Sequence, residues 1–104
     1  MKKLTMGLNG PELAPLGLGC WAMIKGVYGN ADENEAIATI HRALDEGFAM
    51  LDTADVYDNG RNEELVGKAI KGRRNQVFIN TKVGALLNTP VFFSELNGSP
   101  EYIK

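Results

Sequence analysis

Short apolar strands alternate with amphipathic helices along this 104-residue chain, and this alternation limits the possible folds more than any other sequence feature. Apolar runs at 16–21, 48–51 and 77–79 are each followed, after a loop, by a helical pattern or a helix start. Strands that alternate with helices form parallel sheets joined by right-handed crossovers. The sequence therefore predicts an α/β fold whose three parallel strands leave two sheet edges without a neighbour.

The first two helices have recognisable start and stop signals. Asp32 is predicted to cap the first helix, because Glu35 follows three residues later and apolar residues then recur at helical spacing until Gly47. Asn62 is predicted to cap the second helix, and Gly72 to end it.

The two ends of the chain carry further turn signals. Asn9-Gly10 between alternating apolar residues predicts an N-terminal hairpin over residues 4–14. Residues 84–97 have no convincing periodicity and are predicted to form a long loop punctuated by Asn88 and Pro90. Ser99-Pro100 is typical of a helix start, so a third helix is predicted to begin near the last residue.

Composition excludes several functional classes. The chain is 44% hydrophobic with a net charge of −2, which is ordinary for a globular protein and does not indicate nucleic-acid binding. No segment approaches the ~18 apolar residues of a membrane helix. The single cysteine fits a reducing compartment, so we expect a cytoplasmic protein. A basic cluster at the end of the second helix is interpreted as solvated surface; it comprises Lys68, Lys71, Arg73 and Arg74.

The glycine-rich first strand matches a nucleotide-binding pattern by spacing alone. Gly17-x-Gly19-x-x-Ala22 has the spacing of the dinucleotide fingerprint, which requires a helix to open directly on the glycines. Gly26 and Gly29 interrupt any helix there, and no acidic residue ends the next strand at the required distance. We therefore interpret the match as a coincidence.

Three polar residues follow neighbouring strands where those strands end. Asp52 and Tyr57 follow the second strand, and Lys82 follows the third. The carboxyl ends of parallel strands meet at one edge, which is where substrates contact α/β proteins. An acid, a phenol and an amine placed together can form a proton donor for carbonyl chemistry, although such residues are also ordinary at strand ends. His41 lies within a covering helix and is predicted to point away from this edge.

In these segments the chain resembles the aldo-keto reductase family. Leu51-Asp52-Thr53-Ala54-x-x-Tyr57 is similar to the family signature, and Thr81-Lys82 to its lysine site. The details are most similar to the branch of pyridoxal, aryl-alcohol and perakine reductases. The resemblance implies the N-terminal part of a (β/α)8 TIM barrel, in a single partial domain over residues 1–104. It also implies an enzyme that reduces aldehydes or ketones with NADPH.

The resemblance also implies residue roles. Tyr57 would donate a proton to the carbonyl oxygen, Lys82 would support it, and Asp52 would hold Lys82. Gly19, Cys20, Trp21 and Asp52 would border the cofactor. Trp21, Tyr28 and Tyr57 would contact a small carbonyl substrate.

The 104 residues also depart from the family pattern. The family's histidine at the end of the fourth strand has no counterpart here, and most pyrophosphate and adenosine contacts come from later segments. We therefore expect the isolated chain to be inactive. The alternative is a non-catalytic partial barrel that completes its sheet by self-association or with a partner chain, motivated by the open sheet edges.

Overall fold

The structure is a computed structural model that describes residues 2–87 and 93–104. The strands and helices follow each other in this order: β1 (Leu4–Thr5), β2 (Glu12–Leu13), β3 (Leu18–Gly19), α1 (Glu33–Asp45), β4 (Met50–Asp52), α2 (Arg61–Ala69), β5 (Phe78–Asn80), β6 (Ala85–Leu87), β7 (Phe93–Leu96) and α3 (Pro100–Ile103). Short 3-10 turns lie at Trp21–Met23 and Arg74–Gln76.

The central element is a three-stranded parallel sheet with the order β3-β4-β5. Leu18 is paired with Leu51, and Leu51 with Ile79 on its other side. The predicted α/β architecture with a parallel sheet is confirmed, although each strand has only two or three residues. Within the described residues, β3 and β5 each pair with β4 alone and so form the two sheet edges.

Helix α1 begins where the sequence predicts and covers the sheet. The side chain of Asp32 accepts a hydrogen bond from Glu35 N at 3.0 Å, which satisfies one of the free N–H groups of the first turn. The apolar face of α1 packs with that of α2 against β4 in one core cluster, whose members are Cys20, Ile40, Leu44, Leu51, Val66, Ala69, Ile70 and Val77. This packing fixes the strand ends relative to the helices.

The start of α2 differs from the sequence prediction. Gly60, not Asn62, is the N-cap, and Asp58, Asn59 and Gly60 all have positive φ, at 52°, 52° and 87°. Left-handed backbone is tolerated by Asp, Asn and Gly, so the helix can start directly after this turn. Asn62 consequently lies inside the first turn of α2, where it is 2% exposed.

Residues 84–97 contain strands where the sequence predicted a loop. Strands β6 and β7 form an antiparallel pair with an irregularity between Leu86 and Leu87. Strands of three and four residues are too short to show a clear alternating pattern, which explains the error. The predicted loop signals Asn88 and Pro90 lie outside the described residues.

The N-terminal hairpin and α3 complete the described structure. Strands β1 and β2 pair antiparallel, with Leu4 opposite Leu13. The side chain of Ser99 accepts a hydrogen bond from Tyr102 N at 3.3 Å and caps α3, as predicted. In the part of the chain that the structure describes, no helix has the length and apolar character needed to cross a membrane.

Candidate active site

An ion pair joins the carboxyl ends of β4 and β5. Asp52 is the last residue of β4 and is paired with Asn80, the last residue of β5. Lys82 therefore lies two residues beyond the carboxyl end of β5. Lys82 Nζ donates a hydrogen bond to Asp52 Oδ1 at 2.5 Å. The parallel register therefore brings the predicted acid and amine together.

Two further groups fix this pair. Asn80 Nδ2 donates to the other carboxylate oxygen of Asp52 at 2.5 Å, and Lys82 Nζ donates a second hydrogen bond to Thr53 O at 2.8 Å. Both oxygens of Asp52 are therefore engaged, and the ammonium is held by two acceptors. The side chains are nevertheless 50% exposed for Lys82 and 35% exposed for Asp52, so the pair faces an open surface.

The pair keeps both groups charged. Partial burial disfavours the carboxylate, but the hydrogen bonds from Lys82 and Asn80 outweigh it and lower the pKa of Asp52. Partial burial also disfavours the ammonium, but the hydrogen bond to Asp52 outweighs it and raises the pKa of Lys82. Asp52 and Lys82 are therefore both charged at neutral pH.

Tyr57 lies beside this ammonium. Its ring centroid is 5.2 Å from Lys82 Nζ, a distance typical of a cation–π contact. The backbone N–H of Tyr57 donates to Ala54 O at 3.1 Å in the turn that follows β4. The three residues that the sequence singled out at the strand ends thus lie together in the structure.

An aromatic cluster continues from Tyr57 towards the first strand. Trp21 stacks on Tyr57 with ring centroids 6.4 Å apart and an interplanar angle of 27°. Tyr28 meets Trp21 edge-on at 5.8 Å and 77°. Trp21 and Tyr28 are 48% and 72% exposed, so the cluster forms one wall of an open site. All three residues predicted to contact substrate therefore share this wall.

The four residues predicted to border the cofactor differ in accessibility. Gly19 is exposed with open space where a side chain would be, and Trp21 and Asp52 are partly exposed. Cys20 does not fit this role through its side chain, because the thiol is fully buried in the core.

The surroundings of Cys20 explain this correction. Its backbone N–H donates to Asp52 O at 2.9 Å, and its carbonyl oxygen accepts from Met23 N and Asn62 Nδ2, both at 3.0 Å. Burial, followed by the charge of Asp52, raises the pKa of Cys20 to about 11. Cys20 thus offers neither an accessible thiolate nor a free backbone group to a ligand.

Sequence reasoning missed the polar residues that support the site. Thr53 Oγ1 donates to Asn62 Oδ1 at 2.7 Å, and both side chains are buried. Asn80, which orients Asp52, was passed over as part of a strand end. The position of Asn62, one helical turn before the buried apolar face of the second helix, indicates burial, but the sequence analysis predicts a helix cap at this residue. Thr53 lies within the segment that resembles the family signature, but that segment assigned no role to it, and Asn80 carries no comparable signal in a single sequence.

The remaining polar residues that the sequence singled out lie elsewhere. His41 Nε2 is 2.8 Å from Ala69 O, so this ring joins α1 to α2 away from the strand ends. Within the basic cluster, Lys68 pairs with Glu33 and Arg73 with Asp45, on the exposed helix surface. Neither feature contributes a group to the site.

A groove of about 620 Å³ borders the site on the side of α3. Asp55 Oδ2 accepts hydrogen bonds there from Gly84 N at 3.1 Å and from the hydroxyl of Tyr102 at 2.9 Å. Asp55 thus connects the loop after β4 to both β6 and α3. This contact anchors the last described helix beside Lys82.

Comparison with known proteins identifies the family. The family model described as "Aldo/keto reductase family" matches residues 15–103. The aldo-keto reductase YhdN of Bacillus subtilis (strain 168) is 44% identical over 84 residues, which are 79% of this chain and 25% of that protein. The chain thus spans about a quarter of the length of this curated relative.

Solved structures agree with this match. The aldo-keto reductase AKR11C1 from Bacillus halodurans, in its holo form, has a TM-score of 0.80 and 36% identity, covering 99% of this chain and 33% of that one. An aldo/keto reductase from Klebsiella pneumoniae in complex with NADP and acetate has a TM-score of 0.67 and 33% identity, covering 79% of this chain and 28% of that one. The described sheet and helices therefore form the N-terminal portion of a (β/α)8 barrel, and the chain belongs to the aldo/keto reductase family.

Proposed function

We propose that this chain supplies part of the active site of an NADPH-dependent enzyme that reduces aldehydes or ketones to alcohols. The observation that carries the proposal is the Lys82 ammonium, held by Asp52 and Thr53 O and placed 5.2 Å from the Tyr57 ring. A phenol beside a fixed cation is suited to donate a proton, because the cation stabilises the phenolate that is left. The family match supports this assignment.

In this mechanism Tyr57 is the general acid. Its hydroxyl donates a proton to the carbonyl oxygen of the substrate as negative charge develops there. Lys82 stabilises the phenolate electrostatically, and Asp52 keeps the ammonium in position instead of taking the proton itself. Bound NADPH supplies the hydride. Gly19, Trp21 and Asp52 would lie at the edge of the nicotinamide.

The substrate site has the character of a shallow aromatic wall. Trp21, Tyr28 and Tyr57 present ring faces and edges at the open end of the sheet. Such a wall favours a small carbonyl compound with an apolar substituent, which would pack on Trp21 while its oxygen faces Tyr57.

The finer assignments rest on sequence features. We propose that residues 1–104 form one partial domain, with a hairpin at 4–14 and βα units from residue 16. Placement in the branch of pyridoxal, aryl-alcohol and perakine reductases is likewise a proposal, and two of the solved neighbours are AKR11 proteins. The single cysteine favours a cytoplasmic location.

The isolated chain is proposed to be inactive, because hydride transfer needs a cofactor held in a fixed orientation.

The alternative function is a non-catalytic partial barrel that pairs through the open edges of β3 and β5. That alternative predicts dimers or larger species at micromolar concentration by light scattering. A monodisperse monomer contradicts it.

A chimera tests the proposed activity. Residues 1–104 replace the matching segment of the Bacillus subtilis relative YhdN, and NADPH oxidation is followed with an aromatic aldehyde. We expect turnover by the chimera and none above background by the isolated chain or by the relative lacking this segment. A folded chimera without turnover contradicts the proposal. Lys82→Met in the chimera is expected to lower kcat by about 10²-fold or more.

A further inference from the structure

Asn62 has more hydrogen bonds to the site segments than any other buried polar side chain in the described residues. Together with Thr53 it is one of two buried polar residues of that part of the chain, at 2% and 1% exposure. Its Oδ1 accepts from Thr53 Oγ1 at 2.7 Å, and its Nδ2 donates to Cys20 O at 3.0 Å. Its backbone N–H donates to Tyr57 O at 3.3 Å.

Each of these partners is adjacent to, or part of, the proposed machinery. Cys20 precedes Trp21 in the chain. Thr53 follows Asp52, and its carbonyl oxygen accepts a hydrogen bond from Lys82 at 2.8 Å. The Asn62 side chain therefore connects the ends of β3 and β4, and its backbone N–H reaches the loop that carries Tyr57, although the residue lies on a helix and touches none of the reacting groups.

The chemistry of the position requires a short amide. Cys20 O can only accept, so Asn62 Nδ2 adds a second donor beside Met23 N, and Asn62 Oδ1 accepts the hydroxyl proton of Thr53. Aspartate lacks the donor and would bury a charge, leucine has the shape without either group, and glutamine is one methylene too long. Asparagine meets both requirements in one planar group.

We propose that Asn62 is a positioning residue that holds Trp21, Tyr57 and Lys82 in their mutual arrangement. Its relevance to catalysis rests on the proposed function, whereas its effect on the arrangement does not. The side-chain hydrogen bonds of Asn62 favour one geometry, because loss of the amide leaves the buried Thr53 hydroxyl without its acceptor and removes one of the two donors to Cys20 O. Loss of the amide is therefore expected to release the stacking of Trp21 on Tyr57.

Fluorescence of Trp21, the only tryptophan, tests the geometry in the chain itself. Asn62→Leu removes both side-chain hydrogen bonds, and Thr53→Val removes one while keeping the Asn62 side chain. Because Trp21 is already 48% exposed, we expect acrylamide quenching to rise by at most about two-fold, with lower anisotropy, in both variants. Thr53→Ser keeps the hydroxyl and is expected to behave as the native chain does.

His41→Leu is the matched structural control. It removes the contact between His41 Nε2 and Ala69 O, a part-buried interaction between α1 and α2. Variants are compared at temperatures where circular dichroism shows the same folded fraction. Unchanged Trp21 quenching in folded Asn62→Leu and Thr53→Val, or an equal change in His41→Leu, overturns the proposal.

The chimera separates this proposal from the proposed function. There Asn62→Leu and Thr53→Val are expected to lower kcat by about ten-fold or more with little change in KM, because misplacement of a proton donor affects the transition state. His41→Leu, which lies away from the strand ends, is expected to retain kcat. Unchanged kcat in Asn62→Leu overturns the positioning role, whereas an inactive native chimera refutes the proposed function and leaves the Trp21 result to decide the geometry.

Discussion

Lys82 is held in place although half of its side chain is exposed to solvent. Its two acceptors lie on consecutive residues, because Asp52 provides a carboxylate and Thr53 a carbonyl oxygen. Asn80 in turn fixes the carboxylate. Exposed ion pairs contribute only about 0–1 kcal/mol to stability, so the value of this pair lies in its geometry.

The charge state of Lys82 depends on Asp52. Partial burial lowers the pKa of Lys82, and the hydrogen bond and charge of Asp52 raise it, so Asp52→Asn is expected to lower the pKa of Lys82. NMR titration of the Lys82 side chain in the chain and in the variant measures this. Asp45→Asn, at an exposed carboxylate paired with Arg73, is the control. An unchanged Lys82 pKa in Asp52→Asn contradicts the assignment.

The same pair sets a pH window for stability. Because the pKa of Asp52 is lowered in the folded chain, the carboxylate stabilises the fold at pH values above the usual aspartate pKa. This stabilisation is lost as the pH falls through the lowered pKa. Because the pKa of Lys82 is raised in the folded chain, the stabilisation from its ammonium group is lost only as the pH rises through this raised pKa. A double-mutant cycle of Asp52→Asn and Lys82→Met, followed by urea unfolding, should therefore give a constant coupling between about pH 5 and pH 9. A coupling that halves within this window contradicts the pair.

The hydrogen bond between Tyr102 and Asp55 can be tested through the pKa of the tyrosine. Its hydroxyl donates to Asp55 Oδ2, and this bond raises the pKa of Tyr102 because the carboxylate stabilises the protonated phenol. Ultraviolet titration of the tyrosines should show this upward shift, and Asp55→Asn should remove it. The stability from this bond is lost as the pH rises through the raised pKa. Tyr102→Phe identifies which tyrosine carries the shift.

The turn before α2 is the element on which the position of Tyr57 most depends. Three successive residues with positive φ, Asp58, Asn59 and Gly60, lead from Tyr57 directly into the helix. Because the turn is so short, Asn62 comes within hydrogen-bonding distance of Tyr57 O. Backbone φ values cannot be obtained from a sequence pattern, so the predicted cap, Asn62, lies two residues after the observed one, Gly60.

Two glycines of this region provide a matched pair of substitutions. Gly60 has a φ of 87° and Gly67 lies inside α2, and an added Cβ would meet nothing within 4 Å at either site. Gly60→Ala should destabilise the fold by about 1–2 kcal/mol through backbone strain alone. Gly67→Ala should stabilise it by about 1 kcal/mol through helix propensity. Urea unfolding of both variants measures the difference, and effects of equal sign would contradict the assigned backbone.

The sequence predicted elements well where a pattern spans many residues. The cap at Asp32, the stripe of α1 and the parallel sheet all follow from periodicity and from the order of elements. Strands β6 and β7 were missed because each is too short for a pattern. The apolar run 16–21 predicted a strand that includes Cys20, whereas the family resemblance placed Cys20 beside the cofactor; its side chain is buried in the core.

The fold as a whole brings residues that are far apart in sequence to one surface. Trp21, Asp52, Tyr57 and Lys82 lie at or just after the carboxyl ends of three strands, and the parallel sheet brings those ends to one side of the molecule. Open edges at β3 and β5 fit a larger barrel in the relatives, of which this chain spans a quarter to a third.

The most direct test compares two tyrosines of the aromatic wall in the chimera. Tyr57→Phe removes the proposed proton donor, whereas Tyr28→Phe removes a hydroxyl from a ring that also contacts Trp21 but was assigned only to substrate contact. We expect kcat for aldehyde reduction to fall by about 10²–10⁴-fold in Tyr57→Phe and to change little in Tyr28→Phe. Retention of full kcat by Tyr57→Phe, or an equal loss in both variants, would contradict the assignment of Tyr57 as the general acid.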